Sequence, residues 1–262
     1  MENRKRRSIM LWSAFVLALI GAAAGWYLLD PGFRAQRAEP QVAAGMPQDE
    51  FERRVRDYLL TNPEVIIAAV QGLEARQREA EASEAQSMLE SRADEVFRDP
   101  GSPVGGNRDG DVTLVEFFDY NCPYCRQVAP VMAEAEAADP ELRIVYKEFP
   151  ILGPGSTYAA RAALAAHRQG RYVAFHQALM TFEGAADENA VRSIATEVGL
   201  DIGKLETDMG DPAIQAMIDR NLQLAQALRI NGTPGFVVGE EILRGATDLA
   251  TLQSLIEQAR TQ

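Results

Sequence analysis

The chain has 262 residues, 47% hydrophobic and 24% charged, which excludes wholesale disorder, a collagen-like rod and a polytopic membrane protein. Its 26 Lys and Arg stand against 38 Asp and Glu, and the net charge of -12 gives no general electrostatic footprint for nucleic acid. Two cysteines exclude a multi-disulfide scaffold, and two histidines make a histidine-based metal site hard to build.

Arg4, Lys5, Arg6 and Arg7 form a basic cluster, followed by an apolar run from Ile9 to Leu29. As a helix, that run would extend roughly 31 Å, enough to cross a hydrocarbon core about 30 Å thick. Trp12 lies near one end of it and Trp26 and Tyr27 near the other, where interfacial aromatics belong. The positive flank keeps the N-terminus in the cytoplasm and exports the chain after Asp30. Residues 1–30 are therefore expected to be a signal-anchor or a signal peptide. Ala22-Ala23-Ala24 would suit cleavage, whereas Trp26-Tyr27-Leu28-Leu29 carries the apolar run past that site and favours an uncleaved anchor through residues 9–29.

Residues 31–47 hold Pro40, Gly45 and Pro47 in a mixed polar setting and read as a linker. A helical extension is expected over 48–98. Phe51, Val55, Tyr58 and Leu59 share one face of its first helix. Asn62-Pro63 breaks that helix, with Asn62 expected to cap the next one and Pro63 to sit in its first turn. Val65, Ile66, Ala69, Val70 and Leu73 make an apolar stripe on the second helix, which fades over Glu74–Gln86 into an exposed stalk. The stripe is a candidate for docking against copies of itself, giving a homo-oligomer through residues 48–75.

Asp99–Gly110 reads as a Gly- and Pro-containing loop opening the main domain, 99–262. The nearly continuous apolar run Val112–Phe118 predicts a buried strand, Cys122 to about Ala138 a helix, and Leu142 to about Phe149 a second strand. The Ala-rich stretch at about 156–228 is helical, with breaks near Gly184, Gly199 and Gly210. Phe236–Leu243 reads as a hairpin turning at Gly239-Glu240, and Leu249–Arg260 as a last helix capped by Thr247 or Asp248. The order is that of an α/β fold with a helical insertion.

Cys122-Pro123-Tyr124-Cys125 falls where a buried strand turns into a helix. Cys122 takes the N-cap and Pro123 the first helical position, where its missing N–H costs nothing. The free N–H groups and the positive end of the helix dipole favour a thiolate at Cys122, the nucleophile of disulfide exchange. A structural staple closing so short a loop would gain little. Half a zinc site lacks further ligands, while Cu(I) on two thiolates is chemically sound. Downstream, Asn231-Gly232-Thr233-Pro234 precedes the hairpin. A cis Thr233-Pro234 bond there would leave the Thr233 backbone free to pair with an extended substrate.

Glu116-Phe117-Phe118-Asp119-Tyr120-Asn121-Cys122-Pro123-Tyr124-Cys125, together with Thr233-Pro234 and Pro130 in the following helix, resembles the DsbA-type thioredoxin-fold oxidoreductases of the bacterial periplasm. The resemblance covers roughly residues 100–262 and implies a thioredoxin fold with an inserted all-helical subdomain. It implies that Cys122 is the exposed nucleophile and Cys125 the buried resolving thiol. Glu116 falls on the family's buried acid, a proton relay for Cys125, and Lys147 falls near the lysine that partners that acid. Pro123, Tyr124, Thr233 and Pro234 fall on substrate-contacting positions. No cofactor is implied beyond the Cys122–Cys125 disulfide, and no metal.

Asp49–Phe97, above all Tyr58–Ile66, resembles the N-terminal extension of ScsC-like members, some of them oligomeric isomerases. Tyr124 stands where the strongest oxidants carry His, and Thr233 before the proline is more like the isomerase and reductase branches. The expected function is a periplasmic thiol–disulfide oxidoreductase, isomerase or reductase, anchored to the inner membrane unless the leader is cleaved. Its expected partners are exported client proteins with cysteines and a membrane redox partner. The alternatives are a monomeric dithiol oxidase and a copper-binding module using the same thiols. His167 and His176 are expected at the surface or lining the helical block without a role, and Met180, Met209 and Met217 as core filler.

Overall fold

The computed structural model describes residues 46–261. The basic cluster and apolar run of residues 4–29, and most of the expected linker, lie outside them. Among the described residues, no helix is long and apolar enough to cross a membrane. The chain divides into two compact units, one up to Gly72 and one from Leu73.

The first unit holds α1 (Gln48–Thr61) and the start of α2 (Glu64–Ser91). Asn62 does not cap α2 as expected: its backbone and side-chain N–H groups both donate to Tyr58 O at 2.8 Å, closing the C-terminus of α1 instead. None of the described side chains of α1 is buried. Phe51, Val55 and Tyr58, with Ile66, Ile67 and Val70 of α2, stand exposed.

The second unit is built on a five-stranded sheet of order β1-β3-β2-β4-β5, made of β1 (Val104–Gly106), β2 (Val112–Phe118), β3 (Leu142–Glu148), β4 (Gly235–Val238) and β5 (Glu241–Arg244). β2 and β3 pair in parallel, and the other pairs are antiparallel. Within the expected loop Asp99–Gly110 lies β1, whose Val-Gly-Gly has a turn composition and becomes a strand by pairing with β3. α4 (Pro123–Ala138) crosses between the parallel strands. The insertion is α5 (Pro154–Arg168), α6 (Tyr172–Thr181), α7 (Glu188–Glu197), α8 (Ile202–Met209) and α9 (Pro212–Ala227). Asp187, Asp201 and Asp211 cap the last three by accepting backbone N–H bonds. α10 (Leu249–Thr261) closes the chain, and Asp248 accepts from Thr251 N at 2.8 Å.

The sheet separates two cores. On one face Leu114, Phe118, Leu142, Ile144 and Tyr146 pack with α4, the helical insertion and α10. On the other, Val115, Phe117, Val145, Phe149 and Val237 pack with Leu89 at the end of α2, Val96 of α3 (Ala93–Phe97), and Leu224 and Leu228. The segment from Ala85 to Phe97 thus belongs to the core of the second unit, upstream of the expected boundary at 98/99.

Candidate active site

β2 delivers the chain to the redox loop, and the loop turns straight into α4. Cys122 is the N-cap residue in extended conformation, and Pro123 opens the helix. Its Sγ donates to Thr233 O at 3.3 Å, and the Thr233-Pro234 bond is cis. Gly235 after the proline is required by space, since a Cβ there would lie 2.5 Å from Ile230 Cγ2. Cys122 and Cys125 are both free thiols. Cys125 is fully buried, while Tyr124 is 60% exposed. Cys122 is less open than the resemblance implies, with 4% of its surface exposed, because the Thr233 backbone lies against its sulfur.

Burial pushes the Cys125 thiol above its ordinary range, the Asp119 backbone N–H pulls it back in part, and negative charge on Glu116 adds to the upward push. Glu116 pairs across the sheet with Tyr146 on one side and Phe236 on the other. In those aromatic surroundings burial pushes its carboxyl up to about 8.

Lys147 is not the partner of Glu116. Its register neighbour is Phe117, and successive strand residues point to opposite faces, so it enters the other core. Its Nζ donates to Glu95 O at 2.7 Å and Ser102 Oγ at 2.8 Å and lies 3.6 Å from Asp99 Oδ2. Burial brings its pKa down to about 8 against the opposing charge of Asp99. Lys147 ties the α3 junction to the sheet.

Side chains that no sequence pattern singles out hold the redox loop. Buried Asp119 accepts from Asn121 N through Oδ1 at 2.8 Å and from Ile151 N and Leu152 N through Oδ2 at 2.8 and 2.9 Å. Asn121 Nδ2 donates to Ser156 Oγ at 3.1 Å, and its Oδ1 accepts from Ala186 N at 2.8 Å. Arg126 Nε donates to Tyr120 O at 2.7 Å, and Nη1 to Phe182 O at 2.9 Å.

His176, expected at the surface or lining the helical block, is buried. It stacks against Tyr172, Nδ1 lies 3.2 Å from Tyr120 OH, and burial pushes its pKa down to about 3. Tyr120 and Tyr172 both donate to Glu148 Oε1, at 3.0 and 2.6 Å. Tyr172, Phe175, His176, Leu179 and Met180 fall at helical spacing in the sequence, a signal that would have placed the imidazole inside.

A thiol at a helix N-cap, a buried second thiol one turn on and a facing cis-proline have the arrangement of a redox dithiol site. Residues 113–257 match the DSBA-like thioredoxin domain, more than half of the chain. The chain belongs to the DSBA-like thioredoxin family. Residues 48–80 also match the copper resistance protein ScsC N-terminal domain. Among solved structures, a thioredoxin-like oxidoreductase from Silicibacter pomeroyi DSS-3 is 51% identical with a TM-score of 0.64, covering 64% of this chain and 98% of that one. The catalytic domain of Proteus mirabilis ScsC is 27% identical with a TM-score of 0.62, covering 68% and 99%. A curated relative, the Na(+)/H(+) antiporter NhaA of Herminiimonas arsenicoxydans, is 31% identical over 158 residues, 60% of this chain. The chain spans about a quarter of the length of the antiporters it matches.

Proposed function

We propose that this DSBA-like protein is a periplasmic thiol–disulfide oxidoreductase acting on cysteines of exported proteins, in the isomerase or reductase direction, on a homo-oligomeric scaffold. The observation that carries the reading is Cys122 Sγ 3.3 Å from the carbonyl of Thr233, the residue before the cis-proline. An extended client segment pairing with the Thr233 backbone brings its sulfur to Cys122. The Cys122 thiolate attacks a client disulfide, one client sulfur leaves as a thiolate and takes a proton, and a mixed disulfide forms.

In isomerisation a second client thiolate attacks the mixed disulfide and releases Cys122. In reduction the Cys125 thiolate attacks Cys122 Sγ, so the Cys122–Cys125 disulfide forms and the client leaves with two thiols. Glu116, ionised, accepts the Cys125 proton in that step; protonated, it returns the proton when Cys125 is released. Pro123 and Tyr124 at the helix tip and Pro234 beside it form the wall the client meets. Recharging the dithiol falls to a membrane redox partner, and residues 9–29 would anchor the protein to the inner membrane unless the leader is cleaved. The exposed apolar residues of α1 and α2 support the oligomer.

The test is refolding of scrambled ribonuclease with wild type and Cys122→Ser. Recovery of activity that depends on Cys122 is the expected result. Rapid oxidation of a reduced peptide without recovery would move the assignment to a dithiol oxidase.

A further inference from the structure

We propose that Arg244 is a positioning residue that clamps both ends of the loop 229–235 and so holds the Thr233 carbonyl over Cys122, at the edge where a client strand pairs. The proposal rests on the thiol–disulfide reading above and names the residue that sets that edge.

The loop begins where α9 ends. Ile230 N donates to Ala225 O at 2.8 Å and Arg229 N to Gln226 O at 3.1 Å, the two closing bonds of a helix that stops on a left-handed residue. That residue is Arg229, with φ 55°. Glycine takes such a place at least cost, so an arginine there has to be held. The holding group comes from β5: Arg244 Nε donates to Arg229 O at 2.7 Å and Nη2 to Leu228 O at 2.9 Å. A guanidinium on the last carbonyls of a helix also faces the negative end of its dipole.

Arg244 holds the far end of the loop with its backbone. It lies opposite Gly235, the residue after the cis-proline, in the β4–β5 ladder, and Gly245 N donates to Pro234 O at 2.9 Å. Ile230 fills the space that a side chain on Gly235 would take. The base of the loop is thus closed from both sides. Its tip is open: Asn231 and Gly232 are exposed, and a Cβ on Gly232 would meet nothing within 4 Å. Thr233 therefore takes its position from the clamp beneath it.

That position matters because Thr233 O accepts from Cys122 Sγ at 3.3 Å and leaves 4% of the cysteine exposed. Loosening the clamp moves the carbonyl off the sulfur. A small reagent then reaches the thiol more easily, while a client strand loses a fixed edge to pair with. The two effects have opposite signs. The stalk offers a rival tether, Arg229 Nη2 to Glu84 Oε2, but both side chains are about half exposed and such a pair contributes little.

The experiment reads two rates in the full-length, reduced protein: kcat/KM for scrambled ribonuclease, and alkylation of Cys122 and Cys125 by iodoacetamide, resolved by mass spectrometry. Arg244→Met keeps the aliphatic stem and removes the donors. It is expected to lower kcat/KM about tenfold through KM, as for one lost hydrogen bond to a charged group, and to speed alkylation of Cys122 by a similar factor. Cys125 is expected to stay protected. Arg244→Lys returns a cation to the same carbonyls and is expected to recover part of both rates. Glu84→Gln is expected to change neither.

Unchanged rates in Arg244→Met overturn the proposal. So does labelling of Cys125 in step with Cys122, which would mean general loosening, and so does an equal effect of Glu84→Gln, which would give the tether to the stalk. Should Arg244→Met fail to fold, Arg244→Gln is read on the same two rates. Wild type without ribonuclease turnover overturns the thiol–disulfide reading, whereas the alkylation rates still decide the clamp.

Discussion

At the scale of single residues, Glu116 is a carboxyl whose neutrality the fold enforces. Held at about 8 against an ordinary 4.5, it binds its proton more tightly in the native than in the unfolded chain. Its stabilising effect is complete below about 4.5 and is lost as the pH rises through 8, because the unfolded chain ionises first. The full difference is on the order of 5 kcal/mol. Glu116→Gln removes the linkage, while His176 and Lys147 titrate alike in both proteins and cancel in the comparison. Denaturant unfolding of the reduced protein from pH 5 to 9 is expected to show wild type weakening with pH relative to the variant. Parallel curves would mean that Glu116 is not desolvated. The same substitution is expected to slow release of Cys125 as a thiol, since the nearby proton donor is gone.

At the scale of elements, what the sequence showed depended on how many neighbours each signal needed. The continuous apolar run Val112–Phe118, the strand-to-helix junction at Cys122 and the cis-proline loop are local patterns, and each is where it was expected. Lys147 was misplaced because a strand has a period of two, and register decides which face a residue takes. The Asp119 bonds to Ile151 and Leu152 join positions more than thirty residues apart, and no spacing announces them. α1 and the first turns of α2 carry a prediction of their own. Their apolar residues stand uncovered among the described residues, so Val55→Asp with Val70→Asp is expected to reduce the proposed oligomer to monomers on sedimentation. An unchanged sedimentation coefficient would place the contact elsewhere.

At the scale of the whole molecule, the sheet keeps two chemistries apart. One face carries the thiols, Glu116 and the aromatic cluster around His176; the other carries Lys147 and the end of the stalk. The stalk's last turns are therefore a plug seated in the catalytic unit. Leu89 and Val96 complete a hydrophobic layer behind β2 and β3, and the Glu95 carbonyl holds Lys147. Cutting the chain at residue 73 keeps the plug, and the fragment is expected to melt as the full-length catalytic unit does. Cutting at 99 pulls it out, strips about 1.5–3 kcal/mol per lost apolar side chain and takes the Glu95 carbonyl from the Lys147 ammonium, which keeps only Ser102 and Asp99. Calorimetry on the two fragments is expected to show the shorter one melting well below the longer, and equal melting would mean the plug is dispensable. A minimal catalytic fragment thus has to begin inside the helix that looks, from its composition, like a mere spacer.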